Sequence, residues 1–141
     1  KSITPTEHQE QACLIAWFDS YAKTRKIDPR LLFAIPSGAN KSIASAMKFK
    51  REGLRAGCPD LMLAIPKYGE PHICEIDEGE LISQIPELTF YGMFIEMKRK
   101  GAPKPRQNQI DYATLLRNQG YNCIIAYGFE EAKRAIEVYL K

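Results

Sequence analysis

Long apolar runs, paired cysteines and a secretory signal are all missing from this sequence of 141 residues. No run approaches the roughly 18 apolar residues of a membrane span, and the opening KSITPTEHQE has no signal-peptide pattern. The four cysteines are widely spaced, with no C-x-x-C pair and no histidine at zinc-ligand spacing. These absences predict a cytoplasmic protein with reduced, mostly buried cysteines, and they argue against a zinc site and a membrane partner.

Lysine and arginine are missing from residues 69–90. That stretch contains six acidic residues, Glu70, Glu75, Asp77, Glu78, Glu80 and Glu87. The rest of the chain therefore has 20 basic against 11 acidic residues, a net charge of +9. A globular body with that charge suits a polyanion such as nucleic acid, and a solvated basic surface is the alternative.

The chain length predicts one domain, residues 1–141, with residues 67–90 as an acidic insertion that forms a hairpin or an ordered loop. Hydrophobic periodicity and turn residues divide the rest into alternating helices and strands. The predicted order is a helix (6–25), strand LLFAIPS, helix NKSIASAMKFKREG, strand DLMLAIP, the insertion, strand YGMFIEMKRK, helix QNQIDYATLLRNQG, strand YNCIIAYG and helix FEEAKRAIEVYLK. This alternation favours an α/β layer with a mixed sheet.

The first helix should begin at a threonine cap, Thr4 or Thr6. Apolar residues recur at helical spacing at Cys13, Ala16, Trp17 and Tyr21, with Leu14 and Phe18 beside them, which predicts an amphipathic helix packed on this face.

Three charged residues lie in or beside apolar strands. A charged group there costs free energy unless it is hydrogen-bonded, paired with an opposite charge or bound to a metal. Asp60 begins DLMLAIP, while Glu96 and Lys98 share one face of FIEMKR because alternate strand residues point to opposite faces. If the two strands pair, Asp60 and Glu96 lie side by side and repel each other unless a cation joins them. Carboxylate oxygens suit Mg²⁺ or Mn²⁺, which can activate water against a phosphodiester. Lys98 can orient or deprotonate that water, or stabilise charge on a phosphate.

Each half of this pattern has an ordinary structural explanation. Pro-Asp is a common turn pair, and E-x-K on an exposed strand face is a common solvated pair. The two halves together, each in an apolar strand and followed by a basic loop, are much more specific.

These residues resemble a known family. GLRAGCPDLML followed by FIEMKRKGAPKPRQNQIDYATLLRNQGYNCIIAYGFEEA is similar to a stand-alone VRR-NUC domain of the PD-(D/E)XK nuclease superfamily. Pro59 and Asp60 match the PD of the motif, and Glu96, Met97 and Lys98 match the (D/E)XK. The resemblance extends to EHQEQACLIAW and LLFAIPSG and misses mainly residues 67–90.

The resemblance implies a restriction-endonuclease-like α/β core, with a mixed β-sheet flanked by helices, and a metal-dependent DNA nuclease. Members of the family occur in phages and bacteria, so the implied location is the cytoplasm of a bacterium or of a phage-infected host cell. Small stand-alone members are associated with cutting branched DNA, including Holliday junctions in recombination and DNA repair.

Further site residues follow from the resemblance. The family places a metal-facing glutamate on the first helix; Glu10 is preferred here over Glu7. Met97 would offer its backbone carbonyl to the metal. The family also has a glutamine on the helix after the E-x-K strand, for which Gln109 is the match and Gln107 the fallback. That glutamine can hold the catalytic water or a phosphate oxygen.

Two polar segments are candidates for DNA contacts. KRKGAPKPRQ offers Arg99, Lys100, Lys104 and Arg106 to phosphates beside the cut. IPSGANKS offers Ser37, Asn40 and Lys41 ahead of a helix start. Tyr91 and Tyr112 flank the site and are interpreted as packing residues.

These features together predict a Mg²⁺- or Mn²⁺-dependent endonuclease selective for branched DNA, acting as a homodimer. A four-way junction is resolved by two symmetric cuts, whereas one chain has one D…E-x-K set, and a two-fold dimer supplies the second. The alternatives are a monomeric flap or nicking nuclease, a restriction-type nuclease and an inactive DNA-binding subunit. The acidic insertion could exclude duplex DNA, contact a second subunit or be merely solvated.

Overall fold

The computed structural model describes residues 3–36, 42–72 and 85–141. The helices are α1 (Glu7–Thr24), α2 (Ile43–Arg51), α3 (Gln107–Asn118) and α4 (Phe129–Tyr139), and the strands are β1 (Leu32–Ala34), β2 (Leu61–Leu63), β3 (Lys67–His72), β4 (Ile85–Phe90), β5 (Met93–Lys98) and β6 (Asn122–Tyr127). A 3₁₀ turn, Pro29–Leu31, precedes β1. The predicted order of helices and strands is confirmed. Within the described ranges, no helix has both the length and the apolar character needed to cross a bilayer.

A four-stranded mixed sheet, in the order β1-β2-β5-β6, forms the centre of the fold. β1, β2 and β5 are antiparallel neighbours, whereas β5 and β6 run parallel and are connected through α3. Leu61 of β2 pairs with Ile95 of β5, so the preceding residue, Asp60, comes beside Glu96. The predicted α/β architecture, a mixed sheet flanked by helices, is therefore confirmed, and its central strand pair positions the candidate site.

One face of β5 lies in the hydrophobic core. Met93, Ile95 and Met97 are at most 1% exposed and pack with residues of α1, β2 and α4. The alternating side chains of the strand, including Glu96 and Lys98, point to the opposite face, as the sequence predicts. The apolar face holds the strand in place by burial, so the other face can present polar groups at fixed positions.

The packed face of α1 differs from the prediction. Thr6 caps the helix as expected, its hydroxyl accepting from the N–H of Gln9 at 3.2 Å. The buried stripe is Leu14, Phe18 and Ala22, while Cys13 and Ala16 are exposed. Trp17 and Tyr21 pack against the edge of the core, as predicted. The prediction was wrong for Cys13 and Ala16, because the bulky Leu14 and Phe18 make the better core stripe at i, i+4 spacing.

The acidic insertion begins and ends as a hairpin, since β3 and β4 pair antiparallel in a separate two-stranded sheet. Its base is attached to the core through Tyr139. Lys67 Nζ donates to the Tyr139 carbonyl at 2.8 Å, and the Tyr139 hydroxyl donates to the Ile65 carbonyl at 2.7 Å. Residues 73–84, which contain most of the acidic side chains, lie outside the described residues.

Three cysteines fall within the described residues, and all are free thiols. Cys123 is buried, Cys58 is half-buried and Cys13 is exposed, so the expectation of mostly buried thiols holds only in part. Burial raises the pKa of Cys123 to about 11, which keeps this thiol protonated and unreactive at neutral pH.

Candidate active site

Asp60 directly precedes the first residue of β2 and is held by hydrogen bonds on both sides, from the residue that follows β1 and from β5. The Asp60 carbonyl accepts from the N–H of Ile35 at 2.8 Å, and its carboxylate Oδ2 accepts from the N–H of Met97 at 2.7 Å. Pro59, directly before it, is buried. The side chain is thereby fixed across β5, next to the carboxylate of Glu96.

Glu96, Lys98 and Gln109 form a connected cluster beside Asp60. Gln109 Nε2 donates to Glu96 Oε1 at 2.6 Å, and Lys98 Nζ donates to Gln109 Oε1 at 3.1 Å. Lys98 Nζ also lies 3.7 Å from Glu96 Oε1. Glu96 is only 6% exposed. Four side chains that are separate in the sequence thus converge on one polar spot at the edge of the core.

The amide of Gln109 is oriented by the start of α3. Its Oε1 accepts from the backbone N–H of Arg106 at 3.0 Å as well as from Lys98. That leaves Nε2 directed at Glu96. The fallback residue, Gln107, instead donates to Asp111 Oδ1 at 2.8 Å on the exposed side of the helix. The structure therefore brings Gln109, and not Gln107, to the carboxylates.

The loop before Asp60 approaches α3 closely through Gly57. This residue has φ +82°, and a Cβ placed on it would lie 2.5 Å from the Asn108 carbonyl oxygen. Only glycine combines this left-handed conformation with so close a backbone contact. The contact joins the segment leading to Asp60 with the helix that carries Gln109.

Burial and like charge raise the pKa of both carboxyl groups. Desolvation raises the pKa of Glu96 to about 7, and the charge of Asp60 adds to the effect, against the opposing influence of Lys98. Desolvation also raises the pKa of Asp60, while its bond from the Met97 N–H works in the other direction. Asp60 and Glu96 also share a side-chain hydrogen bond, which lowers the pKa of Asp60. Two poorly solvated carboxyl groups this close together form a place where a cation would be stabilised.

Of the two glutamates predicted on α1, Glu7 is the one whose charge acts on this carboxyl pair. Its charge contributes to the raised pKa values of both Asp60 and Glu96. Glu10, in contrast, continues the buried stripe of α1, and its Oε2 accepts from the N–H of Phe129 at 2.7 Å, at the first residue of α4. These contacts favour Glu7 over Glu10 as the glutamate that faces the site, the reverse of the preference from the sequence.

The donor set fits a hard divalent cation. Asp60 and Glu96 offer carboxylate oxygens, which Mg²⁺ and Mn²⁺ prefer. Across residues 3–36, 42–72 and 85–141, no three His, Cys, Asp or Glu side chains converge closely enough to hold a metal ion. Mg²⁺ is commonly bound by only one or two carboxylates and retains several waters, so two protein carboxylates suffice. The Met97 carbonyl stays a predicted ligand.

We expect the contribution of Glu96 to the stability of the metal-free protein to fall as the pH rises. Its pKa is about 7 in the folded chain and 4.5 ordinarily, so the folded state holds the extra proton between these values. The stabilisation is complete below pH 4.5 and is lost as the pH passes 7. The measurement is thermal unfolding in EDTA from pH 4 to 8. The Tm of the wild type should fall relative to that of Glu96→Gln as the pH rises through this range.

The matched control for that measurement is Asp111→Asn, which neutralises an exposed carboxylate on α3. Its pH profile should follow that of the wild type. Equal profiles for the wild type and Glu96→Gln would contradict the raised pKa.

A cavity of about 320 Å³, here called the catalytic cavity, opens over the carboxylate pair. Asp60, Glu96 and Gln109 line it, and so do three basic residues, Lys50, Arg55 and Arg106. Lys50 and Arg55 did not emerge from the sequence as site residues. The available signal was the group of basic residues in the last turn of α2 and at Arg55, in the segment that leads to Asp60.

The other residues predicted to bind DNA are distributed more widely. Arg99, Lys100 and Lys104 are exposed, as expected for residues that grip phosphates. The Lys100 stem lies beside Gly128, where α4 begins. Ser37, Asn40 and Lys41 lie outside the described residues, so their predicted contact with phosphate stays a prediction.

The chain matches a characterised family. Residues 2–130 match the VRR-NUC domain, over both the strand pair and the helix that form the site. A solved structure described as a VRR_NUC domain protein superposes with a TM-score of 0.69 at 22% identity, covering 98% of this chain and 90% of that one. The likeness confirms the expected restriction-endonuclease-like fold. A comparison with curated proteins gives no match.

Proposed function

Because the chain belongs to the VRR-NUC nuclease family, we propose that it is a Mg²⁺- or Mn²⁺-dependent endonuclease that hydrolyses phosphodiesters in branched DNA, including Holliday junctions. The observation that supports this most is the convergence of Asp60, Glu96, Lys98 and Gln109. Hydrogen bonds and an ion pair join the last three, and the Met97 N–H holds the Asp60 carboxylate beside them. An intact set of this kind also argues against an inactive DNA-binding subunit.

The residues of the site divide the chemical work. Asp60 and Glu96 would hold the metal, which when bound would supply Lewis-acid stabilisation and an activated water. Lys98 is positioned to orient that water or to stabilise the charge that develops on the phosphate. Gln109 holds Lys98 and Glu96 at a fixed separation and can accept or donate a hydrogen bond at the reacting group.

Charge around the catalytic cavity fits a nucleic acid strand. The paired carboxylates alone would repel a phosphate, but Lys50, Arg55 and Arg106 line the same cavity. The described residues include no salt-bridge partner for these three side chains. A phosphodiester entering the cavity therefore meets cations around it and the carboxylate pair beneath it.

A cleavage assay tests the proposal. Supercoiled plasmid, linear duplex, a 5′ or 3′ flap and a synthetic four-way junction are incubated with Mg²⁺, with Mn²⁺ and with EDTA. Metal-dependent cutting of the branched substrates in preference to duplex is expected. Sequence-specific cutting of plasmid would indicate a restriction-type enzyme, and binding without cutting an inactive subunit.

We expect DNA binding to weaken steeply with salt, because the neutralisation of phosphates by lysine and arginine releases counterions. Changing Arg99, Lys104 and Arg106 together to alanine should lower affinity. It should also flatten the plot of log K against log salt by about 0.9 for each phosphate that is no longer neutralised. The measurement is fluorescence anisotropy of a labelled junction in EDTA, where no cleavage occurs.

The matched control changes Lys23, Arg25 and Lys26, at the far end of α1, to alanine. It removes the same charge from a surface away from the catalytic cavity, so the slope should stay that of the wild type. Equal slopes for both triple variants would move the DNA surface elsewhere.

We also propose that two chains act together as a homodimer, since coupled junction resolution needs two sites and each chain has one. Light scattering at micromolar concentration should give twice the chain mass of 16.0 kDa. Junction products should carry paired, symmetric cuts. A 16.0 kDa species that leaves one unpaired nick would identify a monomeric flap or nicking nuclease instead.

A further inference from the structure

A second cavity, here called the side cavity, lies next to the catalytic cavity and has a volume of about 400 Å³. Its lining includes Pro36, Phe49, Glu52, Leu54, Arg55, Cys58 and Tyr112. Of these, Pro36, Leu54, Arg55 and Cys58 also line the catalytic cavity. A group bound in the side cavity would therefore be an immediate neighbour of one bound at Asp60 and Glu96.

The lining of the side cavity has the composition of a site for a flat, partly polar ring. Phe49 and Tyr112 supply aromatic rings, and Pro36 and Leu54 supply apolar surface. The polar groups are Arg55, Glu52, and the Tyr112 hydroxyl and Cys58 thiol, which share a hydrogen bond. Small-molecule sites commonly have this mixture, at volumes of about 300–1,000 Å³.

We propose that the side cavity binds one unpaired DNA base, from a nucleotide adjoining the phosphate that is cut. This inference rests on the proposed function, because it requires a DNA strand at the carboxylate pair. Nucleic acid bases that are splayed out of a helix are recognised by stacking on aromatic side chains and by hydrogen bonds along their edges. The side cavity provides both, and it shares part of its lining with the catalytic cavity.

Arg55 connects the two cavities chemically. It lines both of them and takes part in none of the ion pairs among the described residues; Glu52, which also lines the side cavity, has its carboxylate 4.0 Å from Lys48 Nζ. A base in the side cavity and a phosphate at Asp60 belong to one continuous strand, whose negative charge passes along this shared wall. The positive charge of Arg55 would stabilise that strand. An apolar side chain of a partner protein, the alternative occupant, would gain nothing from a cation at this position.

Binding of a single base would also explain selectivity for branched DNA. In a linear duplex each base is paired and stacked, and turning it out costs free energy. Junctions, flaps and single strands contain bases that have already lost these interactions, so they enter at lower cost. The side cavity would thus favour branched substrates without reading their sequence, since every base has a face that can stack.

An abasic scan tests this proposal with the wild-type protein. Each nucleotide within three positions of the cut in a flap or junction is replaced in turn by an abasic residue, and kcat/KM is measured with Mg²⁺. At one position kcat/KM should fall about 5- to 150-fold, the usual worth of one base–aromatic stack. No fall at any position would overturn the proposal.

Variants of Tyr112 locate the effect in the side cavity. Tyr112→Ala should lower kcat/KM on the intact substrate to a similar extent and make the sensitive abasic position neutral. Tyr112→Phe, which keeps the ring, should retain most of the wild-type rate. Tyr91→Ala is the control, because Tyr91 is 58% exposed and does not line the side cavity.

The outcomes separate this inference from the proposed function. If no DNA is cut under any condition, the proposed function fails. Suppose that branched DNA is cut, but the abasic substrate lowers kcat/KM by the same factor for Tyr112→Ala as for the wild type. The two changes then act independently, so the nuclease function stands and the base site is overturned. Because the scan needs only the wild-type protein, the absence of any sensitive position overturns the proposal even if Tyr112→Ala does not fold.

Discussion

Asp60→Ala, Glu96→Ala and Lys98→Ala are each expected to lower the rate of cleavage by about 10²–10³-fold or more, the usual effect of removing one electrostatic group from a reacting centre. Asp60 and Glu96 are the carboxylates that would hold the metal, and Lys98 lies 3.7 Å from Glu96. The measurement is single-turnover cleavage of a synthetic junction at saturating Mg²⁺. Full activity in any one of the three, with contaminating nuclease excluded, would contradict the site assignment.

Folding controls make that result interpretable. Neither Asp60 nor Glu96 belongs to the hydrophobic core, and removing the Asp60 carboxylate also removes a like charge that helps to raise the pKa of Glu96. The variants should therefore keep a wild-type circular dichroism spectrum and a similar Tm. Asp111→Ala, which removes an exposed carboxylate outside the cluster, should cleave at the wild-type rate.

Metal binding supplies a readout that does not depend on activity. The proposed Mg²⁺ site exists only in the folded protein, so Mg²⁺ should raise the Tm of the wild type by mass action. The same titration should raise the Tm of Asp60→Ala and Glu96→Ala much less. An equal rise in all three proteins would place the metal at another set of oxygens.

Gly57→Ala is expected to lower the free energy of unfolding by about 2–4 kcal/mol, from strain at a positive φ together with overpacking. The new Cβ would lie 2.5 Å from the Asn108 carbonyl oxygen and 2.8 Å from the carbonyl carbon. Both are backbone atoms of α3, so relief requires the loop and the helix to separate. Urea unfolding of the metal-free protein gives the free energy directly.

Gly53→Ala is the matched control. Gly53 has a similar φ of +104°, but a Cβ there would meet nothing within 4 Å. The free energy of unfolding of Gly53→Ala should fall only by the cost of placing alanine at a positive φ, about 1 kcal/mol. If both variants lost the same stability, the close approach of Gly57 to α3 would be refuted.

The rate of cleavage should also differ between Gly57→Ala and Gly53→Ala. Gly57 precedes Asp60 by three residues and presses against the turn of α3 that carries Gln109, so its displacement moves both sides of the cluster. Gly57→Ala should therefore cleave more slowly than Gly53→Ala under conditions where both are fully folded. Equal rates would show that the cluster tolerates this displacement.

Much of the site follows from local properties of the sequence. The alternation of β5 requires that Glu96 and Lys98 share one face when Ile95 and Met97 enter the core, whatever the rest of the fold. Asp60 begins a strand because an apolar run follows it. The order of helices and strands likewise follows from periodicity and turn residues, and the family resemblance supplies the pairing that joins the two motifs.

Other features depend on contacts between distant segments, which periodicity does not contain. Glu7 and Glu10 lie one turn apart on α1, and only the docking of α4 beside that helix gives Glu10 the Phe129 N–H and leaves Glu7 to act on the carboxylate pair. The buried stripe through Leu14 and Phe18 was similarly decided by which face met the sheet.

The sequence by itself determined the acid, acid and lysine of the site, the strands that carry them and the basic character of the body, because each depends on residue type and spacing along one segment. Tertiary structure alone decided the contact at Gly57, the basic lining from Lys50 and Arg55, and the side cavity beside the catalytic one. These arise where α2, α3 and the sheet meet. Their positions are set by side-chain packing between segments far apart in the chain, which local patterns do not specify.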